Sequence, residues 1–232
     1  MKIGIIGAME EEISILKDMI EFSEIQTINH QDYIMGTIDS HSIIMVKSGI
    51  GKVNATMTVM QLKYHFDIDI VINTGSAGGI DPMTSIGDII IANELIYHDV
   101  DVTNFGYQIG QMAGMPASYY PNSDWMFACQ SAARTIGVEP ILGLVVSGDQ
   151  FVNDHQKIHE IRYNFPLAKA CEMESTAIAQ TCYQLDIPYL IIRAISDNAD
   201  DEATMTFDEF IKIAGDLAAK LVYQTILNYK TN

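Results

Sequence analysis

Short apolar runs alternate with stretches of three- and four-residue hydrophobic spacing along almost the whole chain, and this alternation admits few folds other than a sheet with helices packed on its faces. The runs predicted as strands are 2–6, 33–38, 42–47, 68–73, 88–92, 141–146, 168–171 and 189–195. The second and third are separated only by Asp39-Ser40-His41 and read as a hairpin, so the sheet should be mixed rather than purely parallel. Among the intervening stretches, Ile13, Leu16 and Ile20 share one helical face in the first helix, and Val53, Met57 and Met60 or Gln61 share another in the second. The last helix is the most regular, with Phe207, Phe210, Ile211, Ala214, Leu217, Ala218, Leu221 and Val222 in step and Thr206 with Glu209 as a capping box. The stretch 97–120 has no sustained period and reads as a long functional or partner-covering loop. The expected fold class is α/β, a single domain over 1–232 built as three layers, α/β/α, around a central mixed twisted sheet.

Charge narrows the function classes. Thirty acidic against 13 basic residues leave a formal charge of −17, and no Lys/Arg cluster offers a phosphate backbone or an anionic membrane a footing. With 48% hydrophobic and 19% charged residues the chain can nonetheless build a core. No apolar run nears the roughly 18 residues of a membrane span. The opening run is broken by Glu10, Glu11 and Glu12 with no cleavage site after it, so it is expected to be a strand rather than a signal peptide. Cys129, Cys171 and Cys182 are odd in number and lack CxxC spacing, which favours reduced, buried thiols in a cytoplasmic protein.

The candidate chemistry sits where strands end. Gly75, Ser76, Ala77, Gly78 and Gly79 follow an apolar strand and read as a ligand-facing turn at its carboxyl end, and Gly49-Ile50-Gly51-Lys52 reads as a second. Neither fits a dinucleotide or phosphate-loop fingerprint. Other predicted strands run into Glu10 to Glu12, into Glu172 and Glu174, and into Ser196 and Asp197. Carboxylates paired at a sheet end suit glycosidic bond cleavage, in which one protonates the leaving group and another activates water. They also suit metal binding, but His98, Asp99 and Asp101 lack helical ligand spacing and 197–202 fits no calcium loop. No GxSxG elbow supports a serine hydrolase. Phe151, just after Ser147, Gly148 and Asp149, could stack on a flat base or simply belong to the core.

Taken in order, KIGIIGAMEEE (2–12), KSGIGKV (47–53), INTGSAGG (72–79), YHDVDV (97–102), VSGDQF (146–151), EMESTAIA (172–179), RAISD (193–197) and TFDEF (206–210) closely resemble the bacterial 5′-methylthioadenosine/S-adenosylhomocysteine nucleosidases, of the nucleoside phosphorylase-like superfamily. The resemblance implies hydrolysis of the N-ribosidic bond of those nucleosides, and of 5′-deoxyadenosine, without cofactor or metal. It implies Glu12 as the base that activates water and Asp197, assisted by Ser196, as the acid to the purine. Glu174 would hold the ribose hydroxyls beside Met173, while Ser76 and Arg193 position water and sugar and Ala77 and Gly78 line the turn. Phe151 would stack on adenine and the Val152 backbone bond its edge; some relatives carry Ile there. Met9, Ile50 and Phe207 would face the 5′-alkylthio group, joined by Val102, Phe105 and Tyr107 of a partner chain in a homodimer.

The superfamily also holds phosphorylases. A phosphate nucleophile needs cations, yet the loop after the first strand reads Ala8, Met9, Glu10, Glu11, Glu12, and acids there repel phosphate. Hydrolysis is therefore expected, with cleavage of futalosine-type nucleosides as the rival among hydrolases. A storage protein of the same fold would lack Glu12 or Asp197, and both are present. The expected partners are small adenine nucleosides and a second copy of the chain, with neither nucleic acid nor membrane.

Overall fold

In the computed structural model, which describes residues 1–198 and 207–229, the chain runs β1 (Lys2–Gly7), α1 (Glu10–Lys17), β2 (Glu21–Ile28), β3 (Gln31–Ile38), β4 (His41–Lys47), α2 (Lys52–Gln61), β5 (Ile70–Gly79), β6 (Ile89–Tyr97), α3 (Ser123–Thr135), β7 (Ile141–Ser147), α4 (His155–Asn164), β8 (Ala168–Glu172), α5 (Ser175–Gln184), β9 (Tyr189–Asn198) and α6 (Phe207–Asn228). The mixed α/β architecture expected from the alternation is what forms. The predicted hairpin pairs β3 antiparallel with β4, and Asp39 takes the left-handed turn position at φ 52°, which its short polar side chain tolerates.

The strands form one nine-stranded sheet in the order β2-β3-β4-β1-β5-β8-β7-β6-β9. An additional parallel pairing of β5 with β9 closes β5, β8, β7, β6 and β9 into a ring. Strand β1 is buried from Ile3 onward because β4 and β5 flank it and helices cover both faces, which explains its unbroken apolar run. One core lies on the α2 and α5 side, around Ala55, Val59, Leu62, Ala177 and Ile178. A second lies under α1, α3 and α6, around Ile13, Leu16, Trp125, Cys129, Leu221 and Val222, and a third, smaller one gathers Leu144, Val146, Ile158 and Ile161. In the second the indole of Trp125 stacks on Tyr229 with centroids 3.8 Å apart. The three cysteines are free and buried, and burial pushes the Cys129 thiol up to about 12.

Three elements depart from the sequence expectation. Strand β2 was not predicted; its residues are almost all exposed, so no buried face imposes a period that could be read. The glycine-rich stretch 75–79 is not a turn but the continuation of β5. On α2, Val53, Met57 and Met60 do share a face, but that face is turned to solvent, while Ala55, Thr58 and Val59 pack inward. The capping-box residue Thr206 lies outside the described residues, as do the side chains of Phe207, Glu209, Phe210, Ile211 and Ala214. Among the described residues no helix is long and apolar enough to cross a membrane.

Candidate active site

Topology brings the candidate residues together. Strands β1, β5 and β9 are parallel, so their carboxyl ends share one edge. Strand β8 meets β5 antiparallel only at its last residues, Cys171 opposite Gly78, so its carboxyl end converges on the same place. The residues after β8 and those at the end of β9 therefore face those after β1 across a cavity of about 200 Å³. Its walls include Met9, Glu12, Ile50, Ser76, Ala77, Gly78, Phe151, Met173, Glu174, Ser196 and Asp197, with Ala8, Cys171 and Glu172 also among the described residues that line it. An adjoining recess adds Val152 and Ile80.

Glu12 is buried near the start of α1 and receives four donors. Its Oε2 accepts from the amides of Ala8 (2.7 Å) and Met9 (3.2 Å), and its Oε1 from the amide (3.0 Å) and hydroxyl (3.2 Å) of Ser76. Gly75 makes this approach possible, since a Cβ there would stand 2.7 Å from Glu12 Oε1. Asp197 is placed by a bulge. The β5–β9 register shifts between Ala77 and Gly78, so Ser196 is skipped and Asp197 falls opposite Gly78. The missing side chain of Gly78 leaves room for the carboxylate, because a Cβ there would lie 3.1 Å from Asp197 Oδ1. Burial holds the Asp197 carboxyl above the ordinary range, against the opposing 2.9 Å hydrogen bond from Ser196 Oγ.

Two further carboxylates divide their roles by environment. Glu174 is buried and pushed up to about 7, first by burial and then by the charge of Glu172, while Arg193 and the Gly51 amide at 2.8 Å pull the other way. Glu172 is equally buried, but Arg193 and the Ser147 hydroxyl outweigh the burial and hold it below the usual range. Arg193 Nη2 reaches Glu172 Oε2 at 2.8 Å, and the same oxygen accepts from Ser175 Oγ at 2.8 Å.

The matching family model is that of the phosphorylase superfamily, over residues 2–227. A relative from Lysinibacillus sphaericus named 5′-methylthioadenosine/S-adenosylhomocysteine nucleosidase is 44% identical over 227 residues, 97% of this chain and 99% of its own. The chain belongs to the phosphorylase superfamily, among these nucleosidases. Two solved nucleosidase structures superpose closely. That of S-adenosylhomocysteine nucleosidase from Streptococcus pyogenes, in complex with 5-methylthiotubericidin, gives a TM-score of 0.95 at 39% identity, covering 100% of this chain and 98% of that one. That of the S. pneumoniae nucleosidase, with the transition-state inhibitor MT-ImmA, gives 0.93 at 44% identity, covering 97% and 98%.

Against the site residues that the nucleosidase resemblance implies, the structure gathers most around one cavity and leaves a few apart. Arg193 does not line it. Its guanidinium is fully buried behind the floor, bonded to Glu172, to Asn73 Oδ1 and to the Ile192 carbonyl, so its reach is to Glu172 rather than to a sugar. Val102, Phe105 and Tyr107 also lie off this cavity, and Phe105 is 81% exposed. Phe207 begins α6, and its side chain is outside the described residues. Two participants escaped the reading of the sequence. Asn73 holds Arg193 and donates to the Ile6 carbonyl at 2.9 Å, and Ser147 donates to Glu172. Asn73 carried a readable signal, a polar residue directly after the apolar run Ile70–Val71–Ile72.

Proposed function

We propose that this chain hydrolyses the N-ribosidic bond of 5′-methylthioadenosine and S-adenosylhomocysteine, and of 5′-deoxyadenosine, releasing adenine and the 5′-substituted ribose. The observation that carries this reading is the pairing of two unlike carboxyl groups on one cavity. Asp197 is held above the ordinary carboxylate range, so it can carry a proton, and Glu12 only accepts from its four donors. In the reaction the C1′–N9 electron pair departs with adenine as Asp197 protonates a purine ring nitrogen. Water adds to the cationic C1′ and passes its proton to Glu12. Glu174 accepts from the ribose hydroxyls, and the acidic lining favours the positive sugar of the transition state. Phe151 supplies a face for adenine with the Val152 backbone at its edge, and Met9, Ile50 and Met173 give the 5′-substituent an apolar wall.

Water rather than phosphate is the nucleophile for an electrostatic reason. The described lining contains Glu12, Glu172, Glu174 and Asp197 but neither Lys nor Arg, and Arg193 behind it is already engaged by Glu172. Phosphate would meet acids at low dielectric with no cation to receive it. Incubation of methylthioadenosine with and without phosphate should give free methylthioribose in both, by mass spectrometry; methylthioribose 1-phosphate in the phosphate arm would overturn the assignment. Specificity constants for methylthioadenosine, adenosylhomocysteine and aminodeoxyfutalosine separate this substrate class from its rival.

The outward apolar face of α2 supports a homodimer. Val53, Met57 and Met60 are exposed there, adjoining Ile50, which lines the cavity and is itself 52% exposed. A second copy seated on this face would cover it and could bring its own Val102, Phe105 and Tyr107 to the open alkylthio end of the pocket. Light scattering should therefore report twice the chain mass, and Met57→Lys, placing a charge in that face, should shift the mass toward one chain; a monomeric wild type would refute the arrangement.

A further inference from the structure

Three loops at the rim of the site are joined in a ring that the chemistry above does not use. Lys52, the first residue of α2, sends its ammonium to both oxygens of Asp99, after β6, at 2.7 and 2.8 Å. Asp99 Oδ2 accepts from the backbone amide of Asp149, after β7, at 2.9 Å. Asp149 Oδ1 closes the ring by accepting from the backbone amide of Lys52 at 2.8 Å. The Lys52–Asp99 pair is about four-fifths buried, with side-chain exposures of 21% and 16%, and the ammonium also lies 4.7 Å from the Tyr97 ring centroid. Burial alone would raise the Asp99 carboxyl, yet Lys52 and the Asp149 amide hold it below the usual range.

The neighbours of the ring in sequence are site residues. Gly51, one residue before Lys52, donates its amide to Glu174 Oε1 at 2.8 Å. Its φ of 96° suits glycine, and a Cβ there would come within 3.1 Å of Asp149 Oδ1. Phe151 follows Asp149 by two residues and borders the cavity. We propose that Lys52, Asp99 and Asp149 are positioning residues, whose ring fixes the Gly51 amide on Glu174 and sets the Phe151 loop over the base subsite. A lone exposed ion pair would contribute little, but here two of the three links end on backbone amides, so the ring constrains the loops themselves.

The inference rests on the nucleosidase reading, and its test separates the two. Asp149→Ala removes the acceptor of the Lys52 amide, Lys52→Met removes the cation and keeps the stem, and Asp149→Asn keeps an oxygen for the amide. With methylthioadenosine, the Ala and Met variants should raise KM on the order of tenfold or more with a smaller change in kcat, and Asp149→Asn should recover most of the loss. The groups facing Glu174 are Glu172 from β8, Arg193 from β9 and Glu12 from α1, all outside the ring. When the Gly51 amide is displaced, Glu174 loses a donor that favours its ionised form, so the limb of kcat/KM that rises with pH should move to higher pH. Amide hydrogen exchange, read without substrate, should quicken at positions 51 and 52 in the Asp149→Ala and Lys52→Met variants. KM and the pH limb within about twofold of wild type, or exchange unchanged at those amides, would overturn the positioning role. A wild-type enzyme that leaves methylthioadenosine intact would refute the nucleosidase reading instead, and the exchange measurement would still decide the ring.

Discussion

Asp197→Asn should abolish most turnover while leaving adenine and its analogues bound. Asparagine keeps the shape and can still accept from Ser196 Oγ, which reaches Asp197 Oδ2 at 2.9 Å in the wild type. What it removes is the transferable proton, and general acid catalysis by a positioned group is typically a factor of about 10² to 10⁴ in rate. Adenine leaves poorly as an anion, so the effect should lie toward the upper end for substrates with that base. The sign of the pH effect follows from the burial that raises this carboxyl. The acid works protonated, so wild-type kcat should fall as pH rises through the raised value, and the variant should lose that limb. Stability should move the other way. A group whose folded pKa is raised destabilises the fold above its unfolded pKa, so the neutral amide should leave the fold no weaker at neutral pH. Kinetics across pH with isothermal titration of adenine checks turnover, the pH limb and binding, and denaturant unfolding at neutral pH checks the stability. Near-normal turnover would remove Asp197 from the acid role.

What could be read in the sequence was what depends on neighbours along the chain. The apolar run of β1 and the hairpin at Asp39 are local patterns, and both form as read. The stretch 75–79 was misread because glycine usually signals a turn, whereas Gly75 and Gly78 serve here to clear space for the carboxylates of Glu12 and Asp197. Those clearances join positions 63 and 119 residues apart, and no local pattern encodes them. The same holds for Asp197 itself. Its candidacy was legible as a carboxylate ending a strand, but the bulge that sets it opposite Gly78 is a property of the β5–β9 pairing. For α2 the period was correct and the direction was not. Hydrophobic spacing reports that a face is apolar, and does not say whether the chain's own core or another surface covers it.

The site also explains why two glutamates two residues apart behave so differently. Glu172 and Glu174 are both buried, yet Arg193 is bonded to Glu172 alone, and the charge fixed there is one of the causes that raise Glu174. Arg193 thus bears on the Glu174 carboxyl from behind the floor in two ways, directly by its own charge and through the Glu172 charge that it holds.

Removing that cation should be felt mainly by the fold. Arg193→Met strips the guanidinium from a fully buried pair and leaves the Glu172 carboxylate without its countercharge. Breaking one side of such a pair typically costs about 3–5 kcal/mol, because the remaining charge keeps its desolvation penalty. Asn73 Oδ1 also loses the guanidinium and keeps only the long 3.4 Å hydrogen bond from Ser175 Oγ. The loss should depend on pH in a defined direction. In the wild type Glu172 is held below the ordinary range, so its contribution is present above the unfolded pKa and fades as pH falls through the folded one. In the variant burial acts unopposed by Arg193 and raises Glu172, so the penalty is largest at neutral pH and shrinks as acid protonates the side chain. The stability gap between the two proteins should therefore narrow on acidification. Glu172→Gln placed on the Arg193→Met background should recover part of the loss by neutralising the stranded charge. Denaturant unfolding at two pH values reads these differences directly. A variant as stable as wild type but with a raised KM would return Arg193 to direct contact with the sugar.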